Sequence, residues 1–273
     1  MYLLFKAVYR RKSYSFTKYL TEINMLYLII SVIILVASFL FSMLGLGGAL
    51  IYVPVLKFAG FPVKEVAIPL ALLLNGVTTL IALIAYFKHK LVDVKGGLAM
   101  TISAFLFAPV GSLVSNKLPV NVLLILFSAA VLVAAGRMFF MSGRPEPKEI
   151  ISFKKRAIIG AIIGGLAGFM AGLLGVGGGF IMAPLLMWMG YETKKATATS
   201  AFAVTFSSFS GFLGHAAQGY FDWTLTIILT IAVIIGALLG SNFLVNKAKT
   251  NRIKQVFAVV LLAIAFKIIL GIT

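Results

Sequence analysis

Long apolar runs follow one another along most of the chain, and they limit its possible folds more than any other feature. A helix of about 20 apolar residues spans the hydrocarbon core of a bilayer. Only 11% of the 273 residues are charged, whereas soluble domains have about 25%. The sequence therefore predicts an all-α polytopic membrane protein. The apolar runs lie roughly at 24–44, 46–60, 66–87, 97–116, 119–141, 157–174, 177–190, 194–217, 223–245 and 251–271.

Basic residues outnumber acidic ones by 24 to 7, which gives a formal net charge of +17. In a membrane protein, lysine and arginine in the loops fix the orientation across the bilayer, so we predict no nucleic-acid partner. Residues 1–23 are basic, and no small-residue cleavage site follows them before the first long apolar run. We therefore expect an interfacial segment with a cytoplasmic N-terminus rather than a cleaved signal peptide.

The rarity of metal-binding and acidic side chains limits the metal sites and the substrates that this chain can have. The chain has no cysteine and only two histidines, which excludes disulfides, thiolate metal sites and histidine-rich zinc sites. We predict neither a metal nor a cofactor. No aspartate or glutamate lies well inside an apolar run, although a cation transporter usually needs one. The substrate is therefore expected to be anionic or neutral.

The chain contains an internal duplication. Residues 45–60 read "GLGGALIYVPVLKFAG" and residues 175–190 read "GVGGGFIMAPLLMWMG", 130 positions later and without a gap. The proline-containing basic linker 142–156 divides the chain near its middle. We predict two homologous transmembrane repeats of about four helices each, at 24–141 and 157–273. Two repeats are frequent in secondary transporters, although channels and some membrane enzymes are also duplicated.

The direction of the two repeats is left open by the sequence. The runs 46–60 and 177–190 are short for a span, and each is either a half-helix or a continuation of the run before it. With four spans in each half, both halves point the same way. With the short run folded back as a hairpin, each half has three full spans and the halves are inverted.

Glycines cluster in both short runs, where they predict broken helices near the membrane midplane. A glycine in a helix interior destabilises the helix by roughly 1 kcal/mol relative to alanine, and a proline removes a backbone hydrogen-bond donor. A helix broken at membrane depth presents free N–H groups and a positive dipole end, which bind anions. A dinucleotide-binding motif is not completed, because Leu50 and Phe180 stand where a third glycine is needed. The candidate pathway residues here are Gly45, Gly47, Gly48 and Pro54, with Gly175, Gly177, Gly178, Gly179 and Pro184.

A second glycine pattern has a different interpretation. Gly160, Gly164, Gly168 and Gly172 recur at four-residue spacing, which is typical of a helix-packing ridge.

Hydroxyl residues are concentrated in the run after the second glycine cluster, "TATSAFAVTFSSFS" at 197–210. At about 100° per residue, several of them share one helical face with His215. Any single hydroxyl in a membrane helix usually bonds to its own backbone, but this repetition favours a polar seam between the halves. His215 is either a proton carrier or an interfacial residue bonded to a carbonyl. The candidate seam residues are Asn75, Thr78, Ser200, Thr205 and Ser208.

Asp93 and Asp222 close matched segments, and we interpret them as loop anchors or helix caps.

These motifs resemble a known family. The two "G-x-G-G" turns with a downstream proline, the stretch "ATATSAFAVTFSSFSG" and the closing "GYFDW" are similar to the TauE/SafE family of sulfite exporters, over about residues 24–271. The first half departs from the motif, because Ala49 replaces its last glycine. The resemblance implies a prokaryotic inner-membrane transporter, a probable exporter, of sulfur-containing anions such as sulfite or organosulfonates. It also implies that the glycine turns, Thr199, Ser200 and the hydroxyl face form the pathway.

Three functions are compatible with the duplication. The first is a secondary transporter whose halves rock to give alternating access. Its partners would be a small anion and the lipid bilayer. The sequence does not decide whether it forms a homo-oligomer. The second is an anion channel or a transporter of another small organic anion. The third is a serine hydrolase using Ser210 and His215, which we reject because five positions on one helix separate their directions by about 140°.

Overall fold

The computed structural model describes residues 16–140, 150–216 and 222–247, and no strand occurs among them. The predicted run 251–271, most of the segment 1–23 and part of the linker 142–156 lie outside these residues. The helices are α1 (Phe16–Ser42), α2 (Ala49–Phe58), α3 (Ile68–Lys88), α4 (Val94–Lys117), α5 (Val120–Phe140), α6 (Phe153–Leu174), α7 (Gly179–Trp188), α8 (Thr193–Ala216) and α9 (Trp223–Lys247). A π-helical turn, Val63–Ala67, leads directly into α3.

Within the described residues, five helical stretches are long and apolar enough to cross a membrane, which confirms the predicted helical membrane class. They are Met25–Ser42, Val63–Lys88, Val94–Lys117, Phe153–Leu174 and Trp223–Val245. Helices α2 and α7 have only ten residues each.

The predicted glycine ridge packs α6 against α4. A Cβ added at Gly164, Gly168 or Gly172 would collide with the backbone of Met100, Ala104 or Ala108, respectively. The residue numbers rise together along both helices, so α4 and α6 run parallel. The close backbone approach confirms the packing interpretation of the ridge.

Helices α1 and α9 form a second close parallel pair. A Cβ at Gly236 would collide with the carbonyl oxygen of Leu35, and one at Gly240 with that of Phe39. At the other end of the pair, the Tyr27 hydroxyl donates to Asp222 Oδ2 at 2.7 Å. We call the side of the bundle that carries Tyr27 and Asp222 the first face.

Helices α3 and α8 cross the middle of the bundle in opposite directions. Asn75 bonds to Ser208, whereas Tyr86, further along α3, packs in one cluster with Ala198 and Ala201 at the start of α8. Tyr86 also donates to the carbonyl of Ser42, at the end of α1 away from Tyr27, and the Asp93 N–H donates to Thr199 near the start of α8. The N-terminal end of α8 and Asp93 therefore lie on the side opposite the first face, which we call the second face.

Helix α2 folds back toward the first face, where α1 begins. The N–H of Ala49, the first residue of α2, bonds to Asn75 halfway along Val63–Lys88. Val53, one turn further along α2, lies near Ile68 at the start of α3, because a Cβ added at Gly175 would lie 3.2 Å from a methyl group of each. Helices α1 and α2 thus form a hairpin that enters and leaves the bundle on the first face.

Matched positions on the two central helices should therefore be accessible from opposite sides of the membrane. Glu65 and Lys195 are exposed and lie 130 positions apart, at the starts of the α3 and α8 regions. The cysteine-free chain allows single substitutions Glu65→Cys and Lys195→Cys to be labelled with an impermeant maleimide on intact and opened cells. We expect the two cysteines to react from opposite sides, and His89→Cys to react from the same side as Lys195→Cys. Reaction of both matched positions from one side would contradict the antiparallel arrangement.

Candidate functional site

Two helix breaks lie inside the bundle. The first glycine turn, residues 43–48, separates α1 from α2, and the second, residues 175–178, separates α6 from α7. Gly47 and Gly177 have φ angles of +69° and +75°, a left-handed conformation that disfavours residues with a Cβ. The breaks are therefore present where the glycine clusters predict them.

The two prolines do not make these breaks. Pro54 lies inside α2 and Pro184 inside α7, and each helix continues beyond its proline. Each proline removes a donor from the interior of a short helix. Helix α6 ends immediately before the left-handed Gly175, and α1 ends three residues before the left-handed Gly45.

Both glycine turns contact the carboxamide of Asn75, which is fully buried. Asn75 Oδ1 accepts from the Ala49 N–H at 3.0 Å, and Asn75 Nδ2 donates to Ser208 Oγ at 2.8 Å. A Cβ at Gly47 or at Gly177 would collide with this carboxamide. Asn75 therefore lies between the two turns and links α2, α3 and α8.

The first turn also lies against the start of α7. A Cβ at Gly179, the first residue of α7, would lie 2.6 Å from the carbonyl oxygen of Leu46 in the first turn. The N-terminal ends of α2 and α7 consequently lie close to the same buried amide. Each helix N-terminus carries a partial positive charge and N–H groups without intrahelical partners. Such an arrangement can stabilise an anion without a fixed charge.

Tyr52 belongs to this region but is not predicted from the sequence. Thr78 donates its hydroxyl to the Leu74 carbonyl at 2.7 Å, so Tyr52 is the donor in its 2.9 Å bond to Thr78 Oγ1. The Tyr52 ring fills the space beside Gly48, where a Cβ would collide with it. The available signal is a tyrosine one helical turn after a glycine pair in an otherwise apolar run.

The predicted hydroxyl seam is only partly assembled. Ser208 bonds to Asn75, and Ser200 donates to the Gly45 carbonyl at 3.3 Å. Thr205 instead donates to Ala201 in its own helix at 2.7 Å. Thr199 lies on the second face, where its hydroxyl accepts from the Asp93 N–H at 3.1 Å.

His215 is buried and is away from Asn75. Its Nε2 lies 2.8 Å from the carbonyl oxygen of Gly172 near the end of α6. A carbonyl only accepts, so Nε2 carries the proton in this contact. Ser210 donates to the Phe105 carbonyl on α4 at 2.6 Å. Ser210 and His215 therefore have different partners on different helices.

Both aspartates cap helices, as the sequence predicts. Asp93 Oδ1 accepts from the Gly96 N–H at 2.8 Å, and Asp222 Oδ1 accepts from the Leu225 N–H at 3.1 Å. The second oxygen of Asp222 accepts from Tyr27.

Asp93 also holds together the second face. Its Oδ2 accepts from the Tyr191 hydroxyl at 2.7 Å and from Arg156 Nη1 at 3.3 Å. Burial raises the pKa of Asp93, but the Gly96 amide, the Tyr191 hydroxyl and the charges of Arg156 and Lys195 outweigh that effect and lower the pKa below its ordinary value. The carboxylate therefore joins the starts of α4 and α6 to the α7–α8 loop.

Comparison with known proteins identifies relatives along nearly the whole chain. A family model described as "Sulfite exporter TauE/SafE" matches residues 30–268. The "Probable membrane transporter protein YunE" of Bacillus subtilis is 30% identical over 90% of this chain and 98% of its own length. "Probable membrane transporter protein MJ0441" of Methanocaldococcus jannaschii is 24% identical over 75% of this chain and 81% of its own length. "Sulfite exporter TauE/SafE family protein 3" of Arabidopsis thaliana is 29% identical over 46% of this chain and 26% of its own length. No solved structure matches significantly.

Replacing the Asn75 amide should destabilise the protein more than replacing a neighbouring hydroxyl. Asn75→Leu leaves the buried Ala49 N–H and Ser208 hydroxyl without their partner, at a cost of about 1–3 kcal/mol for each unsatisfied group. At about 2–4 °C per kcal/mol, we expect the melting temperature in detergent to fall by roughly 5 °C or more. Thr79→Val is the matched control, because Thr79 bonds only to carbonyls of its own helix. Equal melting temperatures for the two variants would contradict the linking role of Asn75.

Proposed function

Because this chain belongs to the TauE/SafE sulfite exporter family, we propose that it is a secondary transporter that exports small sulfur-containing anions such as sulfite or organosulfonates. One observation carries the proposal most directly: the two glycine turns meet at the buried carboxamide of Asn75. A substrate pathway at this point would be lined by the N-terminus of α2 from the first half of the chain and that of α7 from the second half.

The chemistry around Asn75 supports an oxyanion as the substrate. The positive ends of α2 and α7 favour a negatively charged ligand. Amide and hydroxyl donors can bind sulfonate oxygens although they carry no net charge themselves. The four acidic residues for which the structure describes a side chain, Glu65, Asp93, Glu192 and Asp222, all lie in loops or in the first turn of a helix region rather than near Asn75. Weak neutral ligands also allow the anion to leave, as transport requires.

Corresponding contacts in the two halves support a pair of inverted repeats. Lys64 donates to the carbonyl of Asn116 near the end of α4 at 3.2 Å, and Lys194 donates to that of Val245 near the end of α9 at 3.1 Å. The lysines are 130 positions apart, and α3 and α8 run in opposite directions. We propose that the repeats 24–141 and 157–273 rock against each other around Asn75, which gives alternating access.

We also propose His215 as the residue that couples transport to protons. With Nε2 bound to the Gly172 carbonyl, Nδ1 is the nitrogen that takes up a proton. Coupling to membrane potential alone is the other arrangement, and an internal pH dye distinguishes the two.

Anion jumps on a solid-supported membrane test the proposed function. Liposomes with reconstituted protein would receive sulfite, sulfoacetate, thiosulfate, sulfate, chloride and neutral glycerol. We expect a saturable transient current for a sulfur anion that is absent from protein-free liposomes, or, for electroneutral proton-coupled transport, a pH change inside the liposomes. Silence in both measurements would contradict the substrate class. A sustained, far larger current without counter-transport would instead identify an anion channel.

Gly178→Val should abolish transport and leave a folded protein in detergent. Gly178 has φ +67°, and a Cβ there would lie 2.7 Å from the Ala167 carbonyl oxygen. A β-branched residue must therefore displace the second turn, at a strain of about 1–3 kcal/mol. Gly136→Val in α5 is the control, because a Cβ at Gly136 meets nothing within 4 Å. The measurement is anion flux alongside size-exclusion elution, and normal flux in Gly178→Val would contradict the importance of this turn.

A further inference from the structure

Helices α1 and α6 end inside the bundle, so their last carbonyl groups need partners other than water. The final four carbonyls of a helix have no intrahelical donor, and an unpaired backbone group is costly at membrane depth. Ser42 is the last residue of α1, and Gly172 lies in the last turn of α6. These two carbonyls lie 130 positions apart, at the entrances to the first and second glycine turns.

Each of these carbonyls receives a side-chain donor from the central helix of its own half. The Tyr86 hydroxyl on α3 donates to the Ser42 carbonyl, which also accepts from the Gly45 N–H at 3.3 Å. His215 Nε2 on α8 donates to the Gly172 carbonyl at 2.8 Å. Tyr86 is 0% exposed and His215 is 1% exposed, and each lies in the last turn of its helix. The donors are 129 positions apart.

We propose that Tyr86 and His215 are equivalent positioning residues, each of which fixes the glycine turn of its own half to the helix that carries Asn75 or Ser208. Only the statement that the turns take part in transport rests on the proposed function; the positioning role does not. It gives His215 a task that needs no titration, because the Nε2–H persists whether or not Nδ1 is protonated. A neutral donor in its place should therefore hold the second turn equally well.

Variants of Tyr86 and His215 remove the two hydrogen-bond donors in different ways. Tyr86→Phe removes one oxygen atom and leaves the ring in place, so the core packing is kept. His215→Met removes the donor at similar side-chain size, whereas His215→Gln keeps a neutral N–H₂ donor and cannot titrate. Tyr27→Phe is a matched control, because it removes a phenolic hydroxyl from the first-face end of the same α1.

Single cysteines in the turns report the position of each turn separately. Leu46 and Val176 are 5% and 0% exposed, and the natural chain has no competing thiol. In Leu46→Cys or Val176→Cys protein reconstituted in liposomes, the reaction rate with a small methanethiosulfonate measures how often a turn is displaced. The measurement needs no substrate, so it tests the positioning role even if no transported anion is found.

We expect Tyr86→Phe to raise the rate at Leu46→Cys roughly tenfold and to leave Val176→Cys unchanged. His215→Met should do the reverse, His215→Gln should restore the slow rate, and Tyr27→Phe should change neither. Unchanged rates in Tyr86→Phe and His215→Met would overturn the proposal. Equal acceleration at both cysteines would also overturn it, because that result indicates a general loosening of the bundle. Slow labelling in His215→Gln together with lost pH-dependent transport would add proton coupling to the positioning role.

Discussion

The carboxamide of Asn75 is the contact on which the rest of the arrangement depends. It accepts a bond from the first residue of α2, donates one to α8 and fills the space that the side-chain-free Gly47 and Gly177 leave open. An amide is well suited to this place because it can accept and donate at once without carrying a charge. Two breaks that would each expose backbone in hydrocarbon are thereby covered by one buried group.

The same requirement for paired backbone groups accounts for four further side-chain contacts at helix ends. Tyr86 and His215 supply donors to carbonyls at the ends of α1 and α6, whereas Lys64 and Lys194 do so near the ends of α4 and α9. Lysine is used at the faces, where its charge stays near water, whereas the buried donors are a tyrosine hydroxyl and a histidine ring N–H. A broken helix can therefore persist inside the bundle with its backbone groups paired.

The two faces are held by different chemistry. On the second face, Asp93 binds Tyr191 and Arg156, and on the first face Asp222 binds Tyr27. The carboxylate on the second face thus has a charged partner, Arg156, as well as a hydroxyl, whereas the described side-chain contact of Asp222 is with a hydroxyl.

The sequence by itself determined the helical membrane class, the positions of the glycine breaks, the packing ridge of α6 and the capping aspartates. Those features follow from apolar run length, side-chain size and local hydrogen bonding, which neighbouring residues fix. Tertiary structure alone decided that α2 folds back, that Asn75 lies between both turns, that Thr205 bonds within its own helix and that His215 reaches Gly172. Each of these depends on which residues distant in the chain come into contact, and hydroxyl or amide side chains carry no local signal that selects their partner.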